Sequence, residues 1–223
     1  MLTVVIPTRN RPADLTNAIK SLCYQSRLPD ELIVVDQSVD DLSVRSVKSL
    51  EALMKKFKLI YIHDTYILGL VEAKRVAVKN ASGQIICFLE DDIVLEVGYI
   101  QQIELGFIKQ PNMIGCCGVI TNPPKVGFLY KFLFKILHRG IFEDTRISTN
   151  RKYSGYNNNL RQSNMLSGGV SAWRREVFDY VEFDVANGFH MFEDIDFSTR
   201  VARHFGNRLF INPNARLAHY CSP

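Results

Sequence analysis

No stretch of this sequence reaches the roughly 18 to 20 consecutive apolar residues that a membrane-crossing helix needs. Cysteine is scarce: Cys23, Cys87, Cys116, Cys117 and Cys221 form neither an even disulfide framework nor a pair of C-x-x-C clusters. A reducing compartment is the simpler expectation. No basic segment leads the apolar run that starts at Leu2 and no small-residue cleavage site follows it, so no signal peptide is expected and a cytosolic location is. The two common glycine-rich phosphate cradles are missing: no G-x-G-x-x-G follows the first apolar run, and no G-x-x-x-x-G-K-S/T occurs. P-loop and dinucleotide-binding Rossmann readings are thereby excluded. Charge of one sign is in short supply too, since 27 Lys and Arg against 23 Asp and Glu leave only +4. That excess is concentrated between Lys125 and Lys152, where seven basic residues face two acidic ones. No recognised nucleic-acid module accompanies them, and no nucleic-acid partner is expected.

What is present is an ordinary globular composition, 47% hydrophobic and 22% charged over 223 residues, enough chain for one substantial core. A single domain is expected over 1–223, with residues 1–121 as one half and 122–223 as the other. In the first half, short β-branched runs alternate with helix-period segments, the pattern of crossover units around a mostly parallel sheet. Strands are predicted at Leu2–Ile6, Leu32–Val35, Leu59–Ile62 and Ile85–Leu89. Between them, a helix opens at Pro12 with Leu15, Ile19 and Leu22 on one face. A second follows Asp40 and Asp41, with Val44, Val47, Leu50 and Leu53 or Met54 at core spacing, and a third covers Leu70–Asn80. Later helices are predicted at Val97–Lys109, Arg174–Val181 and Ile195–His204, extended chain at Met113–Ile120, Arg208–Ile211 and Arg216–Tyr220, and a surface loop at Asn157–Asn159.

Ligands of open α/β sheets bind beyond the carboxyl ends of the strands. The residues there are polar: Pro7, Thr8, Arg9 and Asn10 after the first strand, Asp36, Gln37 and Ser38 after the second, and Glu90, Asp91 and Asp92 after the fourth. Carboxylates in such places also cap helices, but three polar sets together favour a site. Three consecutive carboxylates repel one another unless a cation sits among them, and hard divalent ions prefer oxygen ligands. A second acidic set, Glu193, Asp194 and Asp196, opens a predicted helix on which Asp196 and Arg200 stand four apart and can pair. Upstream, Gly168 and Gly169 permit close backbone approach.

Together these residues resemble the inverting family 2 glycosyltransferases of the GT-A fold. The segment Val4–Arg11, with Pro7, Thr8 and Asn10, resembles their nucleotide-binding first strand and loop, and Asp36 the aspartate that reads the base. Gly69–Arg75 is similar to the helix that carries a basic residue towards the donor, here Lys74. Glu90, Asp91 and Asp92 resemble the D-x-D element, whose last carboxylate binds a divalent metal, manganese or magnesium. Glu193, Asp194, Asp196 and Arg200 resemble the segment whose second residue is the catalytic base, with Glu193 as the competing carboxylate. His219 looks like the family's additional metal ligand, leaving Glu90 or Asp91 to reach the ribose. The resemblance implies a GT-A-like α/β domain, nucleotide-binding in its first half and acceptor-binding in its second. It implies a nucleotide-sugar donor, uridine-linked by preference, and a glycan or lipid-linked acceptor. The Q-x-x-R-W element of processive synthases is missing, which implies a single addition.

Two other readings stand beside this one: a nucleotidyltransferase of related architecture, and a non-catalytic nucleotide- or carbohydrate-binding module. Separately, Val126–His138 is apolar except for a stripe of Lys131, Lys135 and His138. Such a helix is either core or lies on an anionic membrane surface, with its lysines snorkelling to headgroups.

Overall fold

The structure, a computed structural model, describes residues 1–122, 159–186 and 193–220. The Val126–His138 stripe, the basic Lys125–Lys152 segment and all of the Asn157–Asn159 loop but Asn159 lie outside the described residues.

The first half folds as its periodicity predicts. Strand β1 (Leu2–Thr8) leads to α1 (Pro12–Cys23), β2 (Glu31–Asp36), α2 (Leu42–Lys48), α3 (Glu51–Met54), β3 (Lys58–His63), α4 (Gly69–Asn80) and β4 (Ile85–Phe88). Proline at the first turn of α1 supplies a pre-set φ where no N–H is needed. Leu15, Ile19 and Leu22 are fully buried, each contributing about 1.5 to 3 kcal/mol. The helix expected after Asp41 is instead two short ones, parted at Ser49 and Leu50, and of the two alternatives Met54 is buried while Leu53 is exposed. Successive strand residues face opposite layers: Val4 and Ile6 join the core with α1, and Val5 joins the one beneath α4.

The chain beyond β4 departs further. It contains β5 (Ile93–Leu95), α5 (Tyr99–Lys109), β6 (Gly115–Ile120), β7 (Arg161–Ser163), β8 (Ser171–Arg174), a 3-10 helix (Arg175–Asp179), α6 (Glu193–Phe205) and β9 (Leu209–His219). The helix expected over Arg174–Val181 is thus a strand end followed by a single 3-10 helix. Trp173 and Ala172 are drawn into the sheet by pairing with β4 on one side and β6 on the other. The two expected terminal strands are one continuous β9, whose register against β6 shifts between Cys117 and Val119.

The strands form one sheet in the order β3-β2-β1-β4-β8-β6-β9-β5, with β7 also on β9. The sheet is mixed rather than mostly parallel. Its β3-β2-β1-β4 part is parallel throughout, as is the β6–β9 pair. β8 runs antiparallel to both its neighbours, and β5 and β7 run antiparallel to β9. The described cysteines, Cys23, Cys87, Cys116 and Cys117, are free thiols, and burial pushes Cys87 up to about 12. Among the described residues no helix is long and apolar enough to cross a membrane.

Candidate active site at the strand ends

The chain runs outward from β1 to β3 and returns as β4 on the other side of β1, which makes the carboxyl ends of β1 and β4 a topological switch point. A cleft of about 550 Å³ opens there, lined by Pro7, Thr8, Arg9, Arg11, Gln37, Gly69, Leu70, Glu90, Asp91, Asp92 and His219. Thr8 Oγ1 donates to Asp91 Oδ2 at 2.7 Å, tying the end of β1 to the residues after β4. Burial raises Asp91 above the usual carboxylate range, against the opposing pull of the Thr8 bond and Arg11. The loop after β1 is pinned to the loop after β2: Gln37 N donates to Thr8 O at 2.9 Å and Asn10 N to Ser38 Oγ at 2.8 Å. Asn10 holds φ at 56°, a left-handed conformation that asparagine tolerates better than most residues.

A second cluster joins Glu90, Asp92 and His219. Ile93 pairs with His219 in the antiparallel β5–β9 ladder and Tyr220 N donates to Asp92 O at 2.8 Å, so the end of β9 runs alongside Asp92. His219 Nε2 lies 3.0 Å from Glu90 Oε2 and 3.0 Å from Asp92 Oδ1. The Glu90 hydrogen bond pushes His219 above its ordinary pKa, with Asp92 adding to it, while burial opposes them. Each of the three residues offers one ligand atom within 4.8 Å of the others. Two carboxylate oxygens and an imidazole nitrogen form a donor set that fits a divalent ion, with the nitrogen suiting manganese better than magnesium.

The third group lies across the Ser167–Val170 turn. Lys74, fully buried on α4, donates to Gly168 O at 3.0 Å and to Glu193 Oε1 at 3.2 Å, with the Phe88 and Phe183 rings near its ammonium. Gly168 N donates to Asp194 Oδ2 at 3.4 Å, and Ser198 on α6 accepts from Leu166 N at 3.1 Å. Arg200 grips Asp196 through Nε at 2.9 Å and Nη2 at 2.6 Å, the pairing the four-residue spacing predicts. On the other side of the turn Glu90 N donates to Gly169 O at 2.9 Å. A Cβ on Gly168 would stand 2.5 Å from Glu193 Oε1, and one on Gly169 2.0 Å from Glu90 Oε1. Two adjacent glycines therefore bring the acidic start of α6 and the carboxylates after β4 against one turn.

Comparison with known proteins bears on this arrangement. The profile of glycosyl transferase family 2 matches residues 3–181. The chain belongs to that family. It is 33% identical to an uncharacterized glycosyltransferase of Rickettsia conorii over 142 residues, 63% of this chain, and spans only 22% of that relative's length. It is 24% identical to the uncharacterized glycosyltransferase YwdF of Bacillus subtilis over 205 residues, 92% of this chain and 69% of that one. The mannosyltransferase PcManGT of Pyrobaculum calidifontis, solved with GDP-Man and Mn2+, shares the fold. Its TM-score is 0.69 at 17% identity, over 98% of this chain and 56% of that one. The fold is α/β and GT-A-like.

In this family 2 domain, Pro7, Thr8, Glu90, Asp91, Asp92 and His219 converge on one cleft, while other residues singled out in the sequence stand elsewhere. Asp36 is fully buried beneath the loop, accepting from Ser38 N at 2.9 Å and Tyr61 Oη at 2.6 Å; Gln37, its neighbour, lines the cleft. Burial and the nearby carboxylate push the Tyr61 phenol well above its usual pKa, so it stays the donor. Asn10 is exposed and acts as a loop pin, and Lys74 lies under the Gly168 turn rather than in the cleft lining. Glu90 sits with His219 and Asp92 rather than with Asp91. Arg9, Arg11, Gly69 and Leu70 join the lining; only the polar run after β1 and the Gly69 segment hinted at them.

The glycine turn carries a direct expectation. Alanine at Gly169 would displace the Glu90 side chain, which is one-third exposed and would give up its 3.0 Å contact with His219 by turning towards solvent. With Glu90, Asp92 and His219 as candidate holders of a divalent ion, Gly169→Ala is expected to keep its melting temperature within a few degrees and to lower any manganese affinity of the native protein by at least the roughly 10-fold that a lost supporting contact costs. A manganese titration beside a melting curve checks both.

Proposed function

We propose that this chain is an inverting, non-processive glycosyltransferase that moves one sugar from a nucleoside diphosphate donor to an acceptor hydroxyl with the help of a divalent ion. The observation that carries the reading is the meeting of two acidic sets across Gly168 and Gly169, one of them grouped with His219 at the β1–β4 crevice. A divalent ion held by Glu90, Asp92 and His219 would neutralise charge building on the departing diphosphate. Thr8 fixes Asp91, the loop after β1 and Gln37 border the nucleotide, and Asp194 takes the proton from the acceptor oxygen. Lys74 is the counter-charge of Glu193 and holds the Gly168 carbonyl, which keeps the start of α6 in place. The first half of the domain holds the donor and the second shapes acceptor choice.

The donor is read as uridine-linked and the acceptor as a glycan or lipid-linked hydroxyl in bacterial-type surface glycan assembly. Val126–His138 is the proposed contact with the cytoplasmic face of a membrane, and a Lys131→Glu, Lys135→Glu variant is expected to lose co-sedimentation with anionic vesicles. Unchanged partitioning removes that contact. The test of the function itself is incubation of the protein with UDP- and GDP-sugars and a panel of glycan and lipid-linked acceptors, with and without manganese. Acceptor-dependent release of the nucleoside diphosphate and a product of inverted anomeric configuration are expected. Donor binding with neither transfer nor hydrolysis would make the chain a binding module instead, and pyrophosphate release from a sugar phosphate and a nucleoside triphosphate would make it a nucleotidyltransferase.

A further inference from the structure

Arg11 touches both carboxylates that close the β1–β4 crevice. Its Nη1 lies 3.3 Å from Asp91 Oδ1 and 3.5 Å from Asp92 Oδ2, and its side chain, 37% exposed, lines the same cleft as Arg9. Arg11 also stands at the N-cap position of α1, where its side chain makes no capping bond. Asp91 is held independently by Thr8, and Asp92 lies against His219. A cation between two adjacent carboxylates relieves their repulsion. The same cation opposes a second, divalent charge on Asp92, and in a cleft it attracts a diphosphate.

Resting on the metal-dependent reading above, we propose that Arg11 is a positioning residue that stands in for the divalent ion at Asp92 while the donor is absent. It turns to the donor's diphosphate once the ion is bound. Ion and nucleoside diphosphate then bind cooperatively: the diphosphate draws Arg11 off Asp92 and opens the ion site, and the ion displaces Arg11 from the carboxylates and releases it to the diphosphate. Such coupling is reciprocal, and typical couplings amount to roughly 5- to 150-fold.

The test measures free Mn2+ by its electron paramagnetic resonance signal, with the protein alone and with UDP or GDP, in the native chain, Arg11→Gln and Arg11→Lys. No turnover is needed. Arg11→Gln is expected to bind Mn2+ alone about 10-fold more tightly than the native protein, and to lose most of the further tightening that the nucleotide confers on the native protein, again about 10-fold. Arg11→Lys, which keeps one charged nitrogen where Nη1 alone makes both contacts, is expected to restore most of the coupling. If native and Arg11→Gln proteins bind Mn2+ equally and respond equally to nucleotide, or if Arg11→Gln binds Mn2+ more weakly, the stand-in role is wrong and the metal-dependent reading survives. If the native protein binds no Mn2+ with or without nucleotide, that reading fails and this inference with it.

Discussion

Asp194→Asn is expected to lower sugar transfer by about 100-fold or more while leaving donor affinity nearly unchanged. The substitution keeps the shape of the side chain but leaves one acceptor oxygen for two backbone donors, Gly168 N at Oδ2 and Ile195 N at Oδ1, so it removes the ability to accept a proton together with one of those bonds. Of the two adjacent carboxylates, Glu193 is the weaker candidate for that role because it is the counter-charge of a buried lysine, 3.2 Å away. Glu193→Gln would leave the Lys74 ammonium buried with the Gly168 carbonyl but no paired charge, which costs stability as well as activity. The two variants therefore separate by measurement: Asp194→Asn should melt within a few degrees of the native protein and turn over poorly, and Glu193→Gln, which strands a buried charge, should melt lower still. Near-native turnover in Asp194→Asn with a well-folded, inactive Glu193→Gln would move the base to Glu193. Loss of donor binding in Asp194→Asn would make Asp194 part of the nucleotide site.

Asp92→Ala is expected to abolish metal-dependent donor binding. Asp92 is buried, lies against His219 and shares Arg11 with Asp91, so its loss removes the carboxylate central to the proposed ion site while Thr8 still holds Asp91 in place. At a nucleoside diphosphate concentration 100 times its dissociation constant, ligand binding raises native-state stability by about 2.7 kcal/mol. In a protein of this size that corresponds to a melting shift of roughly 5 to 11 °C. The native chain should show such a shift with UDP or GDP only when manganese is present, and Asp92→Ala should show none under either condition. A manganese-dependent shift retained in full by the variant would remove Asp92 from the ion site.

Much of the β3-β2-β1-β4 sheet was legible because its cause is local. The alternation of Val4, Val5 and Ile6 between two apolar layers, the spacing of Leu15, Ile19 and Leu22, and the proline that opens α1 each express a period or a φ restriction that neighbouring residues set. The pairing of Asp196 with Arg200 is likewise a property of one helix turn. Strands β5, β7 and β8 were not legible: β5 and β7 are three residues long, β8 sets Ser171 and Arg174 around Ala172 and Trp173 without the apolar run that marks β4, and all three become strands only where β4, β6 and β9 offer backbone partners. Arg174 shows the override: it opens the predicted helix, yet pairing with Ile85 of β4 and a bond from its N–H to Ile114 O hold it in β8.

The sequence by itself determined which polar groups end the strands, where glycine interrupts the chain, and that the carboxylates after β4 and at the start of α6 had to be accommodated somewhere. Only the tertiary structure decided which of them meet. His219 stands beside Asp92 because the end of β9 runs antiparallel along β5, with His219 opposite Ile93 and Tyr220 N bonded to Asp92 O, contacts between residues far apart in the chain. Asp36 and Gln37 are adjacent, but Asp36 ends β2 facing Tyr61, and Gln37 faces the cleft; neighbouring side chains at a strand end point to different sides, and no local signal says which side holds a ligand. Lys74 could be read as a donor contact until the Gly168 turn and Glu193 were seen to close over it. Burial, register and close approach are relations between distant segments, and they exist only once the sheet has brought those segments together.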